Sequence, residues 1–173
     1  MQSQWRGGRG NVSPIRATFA IFFVAAVLTA TTAVGTWAAR TTGADWPGPP
    51  AAPAPRVKGA AGPPPAWFET RTRSLWLAFS SFCWKTACAD YLPPQSRTDL
   101  PVIAVRRGAM VRVHFAFAPR QVHATIFVGT TLKHVTLRPG RIVTWRPTLT
   151  GVVSFDVRSA AGSASYVVRV RIS

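Results

Sequence analysis

The side chains best suited to covalent, metal or proton-transfer chemistry are few. They are Cys83 and Cys88, the histidines His114, His123 and His134, and the carboxylates Asp45, Glu69, Asp90, Asp99 and Asp156. The cysteines stand five positions apart, which is not the Cys-x-x-Cys spacing of a redox-active pair. Two cysteines alone also fall short of a structural zinc site. In an oxidising compartment a disulfide is their default, and closing so small a loop stabilises a fold by about 2 kcal/mol in the chain-entropy description. His114 alternates outward with Arg112, and His123 on the next strand would do likewise, so a metal-binding His114–His123 pair is the alternative reading of the histidines. No acidic residue follows them at ligand spacing, and no metal or other cofactor is expected.

Acid–base or nucleophilic catalysis finds little support. There is no G-x-S-x-G elbow, no phosphate-cradling glycine loop and no carboxylate pair that the sequence places together. Asp156 is expected opposite Arg169 across a hairpin, and Asp90 is expected to end the cysteine loop, where a short acid accepts backbone hydrogen bonds. The reading is a non-enzymatic module, with an envelope enzyme or a metal-handling exported protein as the alternatives.

Binding is the chemistry for which the composition is better suited. Lys and Arg number 21 against 5 Asp and Glu, a balance that points to anionic partners. Arg112, Arg146, Arg158, Arg169 and Arg171 fall at outward positions and would make one strongly basic sheet face. Neighbouring like charges weaken a sheet, so their concentration asks for an anionic polymer, lipid or protein partner. Arg outnumbers Lys 18 to 3, a bias that a GC-rich genome would also produce. The densest aromatic cluster comprises Trp67, Phe68, Trp76, Phe79, Phe82, Trp84 and Tyr91. Most of it is expected in a core. The sharper alternative is a groove exposing Trp76, Trp84 and Tyr91 beside Arg71, Arg73 and Lys85, open to a sugar, a peptide or a membrane surface.

These residues need elements to position them, and the N-terminal third supplies none. Arg6, Arg9 and Arg16 stand without an acidic residue in the segment 1–16, and residues 17–39 then run without a charge. Those 23 residues would span about 34 Å as a helix, enough for a hydrocarbon core about 30 Å thick. The arginines place 1–16 in the cytoplasm and the rest of the chain outside. The run is read as a single-pass anchor with the C-terminal domain outside the cell membrane. The alternative is a signal segment cleaved at Ala33-Val34-Gly35 or Thr36-Trp37-Ala38, which would leave a secreted domain. Export takes the domain away from cytosolic nucleic acid, so none is expected as partner. Residues 40–66 hold eight prolines and read as a semi-stiff polyproline spacer.

Residues 67–173 carry the period-two pattern of strands. Val111, Val113 and Phe115 alternate with Arg112 and His114, and similar runs recur. Strands are predicted at Leu75–Phe79, Val102–Val105, Met110–Phe117, Val122–Val128, Lys133–Leu137, Ile142–Trp145, Val152–Arg158 and Tyr166–Ile172. If Gly162-Ser163 forms a two-residue turn, Val157 pairs with Val168, Phe155 with Val170 and Val153 with Ile172. Seven or eight strands without helical period argue for an all-β antiparallel sandwich.

The succession Val111-x-Val-x-Phe, Val135-x-Leu-x-Pro-Gly, Gly151-Val-Val-Ser-Phe-Asp-Val and Ser165-Tyr-Val-Val-Arg-Val resembles the later strands of bacterial immunoglobulin-like domains. Ser81-Phe82-Cys83-Trp84, followed by Cys88-Ala89-Asp90 and Pro93-Pro94, is similar to a segment of uncharacterised exported or membrane-anchored immunoglobulin-like proteins of Gram-positive bacteria. The resemblance implies an extracytoplasmic sandwich and no particular activity.

Overall fold

A computed structural model describes residues 46–57 and 62–173. The basic N-terminus, the apolar run 17–39 and the first residues of the expected spacer lie outside the described residues. Among the described residues no helix is long and apolar enough to cross a membrane.

Among the described residues, alternating apolar residues build eleven strands: β1 Ala66–Glu69, β2 Ser74–Trp76, β3 Ala78–Trp84, β4 Ala87–Ala89, β5 Val102–Val105, β6 Val111–Phe115, β7 Gln121–Val128, β8 Thr131–Leu137, β9 Ile142–Trp145, β10 Gly151–Ser159 and β11 Gly162–Ile172. They form a four-stranded sheet in the order β2-β1-β6-β9 and a seven-stranded sheet in the order β4-β3-β11-β10-β7-β8, with β5 also on β11. Every pairing is antiparallel except β5 with β11, which is parallel. The two inner faces meet in a β-sandwich-like core around Phe68, Val113, Phe155, Tyr166 and Val168, all essentially removed from solvent. The Tyr166 hydroxyl stays satisfied by donating to the Pro64 carbonyl at 2.6 Å. Burial pushes its phenol well above the usual tyrosine range.

The expected all-β class is present, with more strands than the seven or eight predicted. One predicted strand, Leu75–Phe79, is two strands in two sheets. The chain changes sheet at the buried Leu77, whose N–H donates to the Ala66 carbonyl at 2.9 Å. The following segment Phe79-Ser-Ser-Phe-Cys-Trp escaped a period-two reading because Phe79 and Phe82 are an odd number apart. A β-bulge opposite Ala164–Tyr166 absorbs the extra residue, so both rings enter the core.

The last hairpin differs from its expected register. Its turn is Ala160-Ala161, and Val153 faces Val168, Phe155 faces Tyr166 and Val157 faces Ala164. The slip from the expected pairing is an even number of residues, so every side chain keeps its face and alternation cannot tell the two registers apart. Close packing decides: Gly162, at φ +138°, sits against the backbone of β3, where a Cβ would lie 2.1 Å from the Cys83 carbonyl oxygen. The glycine serves a strand contact and not the turn. Asp156 consequently faces Ser165 and not Arg169.

Candidate binding surface

Each outward face carries its own chemistry. On the large sheet, Leu100 packs over Val152 and Val167 and covers one half of the outer face. Arg97 holds this covering segment down. Its guanidinium donates to the Phe79 carbonyl and pairs with Asp99 at 2.6 Å, and its own carbonyl accepts from Arg169 at 3.2 Å. The hydrogen bond from Arg97 holds the Asp99 carboxyl below the usual carboxylate range.

The other half of that face is an open, polar hollow of about 610 Å³ around Asp156, His123 and His134. Ser154 and Ser165 donate to Oδ1 of Asp156 at 3.0 and 2.6 Å, and Thr125 donates to Oδ2 at 3.3 Å. His134 Nδ1 lies 3.2 Å from Thr125 Oγ1, and His123 Nδ1 lies 3.3 Å from Thr136 Oγ1. The hydroxyls saturate much of the acceptor capacity of Asp156. Among the described residues no three His, Cys, Asp or Glu side chains converge as metal ligands.

The histidine pair read from the sequence is not brought together. His123 lies in the large sheet and His114 in the small one, where Nε2 of His114 is 2.8 Å from Oε2 of the buried Glu69. The outward alternation of His114 is as expected, but two consecutive strands joined across the sandwich do not share an outer face.

Cys83 and Cys88 are bonded. They face each other directly across the β3–β4 hairpin, whose two turn residues are Lys85 and Thr86. Five positions is the spacing that a two-residue hairpin gives to a facing pair. The bond therefore staples a hairpin at the edge of the large sheet, and Asp90 lies just beyond β4.

The three aromatics expected in one groove occupy three places. Trp84 is core, its ring 4.8 Å from that of Phe117. Tyr91 is exposed in the segment after β4, near Phe82 and under the Arg97 guanidinium at 5.6 Å. Trp76 belongs to the outer face of the small sheet. The five arginines divide likewise: Arg112 is on the small sheet, Arg158 and Arg169–Arg171 stand at opposite ends of the large one, and Arg146 follows β9. Arg146 and Lys133 flank a cleft of about 460 Å³ whose apolar walls are Met110, Ile126, Val135 and Trp145.

The outer face of the small sheet is the most elaborated surface. The registers align Trp76, Trp67, His114 and Ile142 in one row across four strands, and Ser74, Glu69, Arg112 and Thr144 in the next. Trp67 stacks on His114 with ring centroids 4.5 Å apart and meets Trp76 edge-on at 5.7 Å. Residues 46–52 of the expected spacer lie on this face. Trp46 sits under both Arg71 and Arg112, whose guanidinium carbons are 4.4 and 4.0 Å from its ring. Gly48 N–H donates to Oε1 of Glu69 at 2.7 Å, and Trp76 Nε1–H donates to the Ala52 carbonyl at 2.7 Å. The sequence held a signal for this seat in Trp46, an aromatic anchor among prolines, beside a sheet row that would otherwise expose two indoles.

Compared with known proteins, the chain matches no family model, no curated protein and no solved structure.

Proposed function

We propose that the chain is a non-enzymatic binding or structural module, held at the outer side of the cell membrane by residues 17–39, that contacts anionic envelope polymer or lipid. Its domain is an immunoglobulin-like sandwich in this reading. The strand order supports that: β6 flanked by β1 and β9 in one sheet, and β8-β7-β10-β11 in the other with β5 parallel to the last strand, follow the neighbour relations of such domains. The β2–β4 segment is then an insertion, in which β2 extends the small sheet beyond β1 while β3 and β4 extend the large sheet beyond β11.

The observation that carries the binding role is electrostatic. Arg73, Arg106, Arg107, Arg146 and Arg171 are exposed at one end of the sandwich, on the loops that follow β1, precede β6 and follow β9, and near the end of β11. Among the described residues, Glu69 is buried beside His114, Asp99 is paired with Arg97, Asp156 is held by hydroxyls, and Asp90 lies beyond β4. Such a surface attracts polyanions without sequence or shape selectivity, and the attraction falls within a Debye length of about 8 Å at physiological salt.

Sedimentation of the full chain with anionic vesicles, and with anionic cell-wall polymer, tests the reading. Binding is expected at low salt and is expected to weaken steeply as salt rises. Replacing Arg106 and Arg107 by glutamine removes about 1 kcal/mol per charge at an anionic surface, roughly a thirty-fold loss for the pair. No binding at low salt, or binding indifferent to salt, would overturn it.

A further inference from the structure

A proline-rich chain offers a partner few N–H groups. It presents carbonyl oxygens and flat ring faces, so a surface that holds it must supply donors and aromatic or cationic planes. The outer face of the small sheet supplies these. Residues 46–50 alternate half-buried and exposed, with Trp46, Gly48 and Pro50 turned toward the protein and Pro47 and Pro49 away. The Trp76 indole meets a backbone carbonyl, and two guanidiniums lie against the anchor ring. The Gly48 N–H is taken by Glu69, a carboxyl only 1% exposed and fixed from its other side by His114. A buried carboxyl is costly unless its oxygens are hydrogen-bonded, so Glu69 is built to receive an N–H from a chain lying on this face.

One donor of the face remains unmet. Among the described residues Trp67 Nε1 is the buried side-chain polar atom with no hydrogen-bond partner. It belongs to the same row as Trp76, one strand away. Residues 46–53 thus satisfy one indole and leave its neighbour unsatisfied, and a buried donor in that state is an exception in folded proteins that asks for a partner.

We infer that the outer face of the four-stranded sheet recognises an extended, proline-rich segment of another protein, and that residues 46–53 are its built-in occupant, which the partner displaces. The partner segment carries an aromatic anchor two positions before a glycine or similarly small residue, and offers carbonyls to both Trp76 and Trp67. Proline pre-sets the extended conformation, so little ordering entropy is lost on docking. The tethered occupant competes at an effective concentration on the order of millimolar, which makes the face silent toward weak or unrelated chains. This inference does not depend on the electrostatic reading above.

The test uses the full chain in detergent micelles, isotope-labelled so that each indole N–H is followed by NMR. The probe is the capped peptide Trp-Pro-Gly-Pro-Pro-Ala-Ala-Pro, which copies residues 46–53. Two variants release the occupant by different routes. Trp46→Ala removes the anchor, and Gly48→Pro removes the donated N–H and cannot adopt the native φ of +77°. In either variant the peptide is expected to shift the Trp67 and Trp76 signals at a concentration at least ten-fold lower than in the unaltered chain. Adding Trp76→Phe is expected to weaken that response at least ten-fold. The inference is overturned if both released variants stay folded and neither indole responds to the peptide, or if Trp76→Phe makes no difference. It is equally overturned if both variants unfold, which would make residues 46–53 an integral part of the core. A released variant that dimerises with concentration would assign the face to a second copy of this chain and would also sink it.

Discussion

The substitution Gly162→Ala probes the feature that sets the register of the last hairpin. Gly162 adopts φ +138°, a region nearly confined to glycine, and an alanine held there costs about 1–3 kcal/mol. The added Cβ would also lie 2.1 Å from the Cys83 carbonyl oxygen and 3.0 Å from the Trp84 Cα, where ordinary contact begins at 3.4 Å. The β3–β4 hairpin must therefore retreat, and losing a strand hydrogen bond there costs roughly 1 kcal/mol more. The sum is about 2–4 kcal/mol, a large share of the 5–15 kcal/mol that stabilises a typical domain. Urea unfolding of the full chain, followed by tryptophan fluorescence, measures it. At a slope of about 1.5 kcal/mol/M the midpoint is expected to fall by about 2 M with the slope unchanged. Ala161→Gly, in the turn itself and at negative φ, is the control and is expected to cost under about 1 kcal/mol. A loss below about 1 kcal/mol for Gly162→Ala would refute the reasoning, since that is the cost of alanine at the first position of a Gly-Ser turn, the register in which Gly162 touches no other strand.

Two further outcomes follow from the same geometry. Replacing Cys83 and Cys88 by serine is expected to lower stability by about 2 kcal/mol, read as a fall in urea midpoint that reducing agent reproduces in the parent chain. Asp99 is expected to titrate below ordinary carboxylates by NMR, and Arg97→Gln is expected to raise it again. The sign is fixed by the depressed value in the folded state. The stabilisation from this pair is present above the ordinary carboxylate pKa and is lost as pH falls through the lowered one.

Strands were legible wherever one face is buried and the spacing is strictly two. Val102–Val105 and Ile142–Trp145 have the bounds expected of them, and β6, β7, β8, β10 and β11 differ from expectation only at their ends. The β3 strand was not legible, because a bulge breaks the period, and β1 was hidden at the boundary of the proline-rich segment. The cysteine pairing was legible in outline, since five positions suits a hairpin, but the hairpin itself was not. Site geometry was least legible. His114 and His123 both point outward, yet period two says nothing about which sheet a strand joins.

The sequence by itself determined the all-β class, the inward and outward identity of most residues, and the disulfide. Each of these depends on spacing along the chain, and spacing is what a sequence records. Only the tertiary structure decided which outward residues share a surface. It divided the expected basic face between two sheets, sent Trp84 to the core and Trp76 to a row with Trp67 and His114, and laid residues 46–52 over that row. It also fixed the last hairpin, where two registers four residues apart preserve the same alternation and differ only in whether Gly162 meets the backbone of β3. The physical reason is the same in each case. Alternation is a local signal with two values per residue, whereas sheet membership, register and the meeting of distant side chains are set by steric fit between segments far apart in the chain.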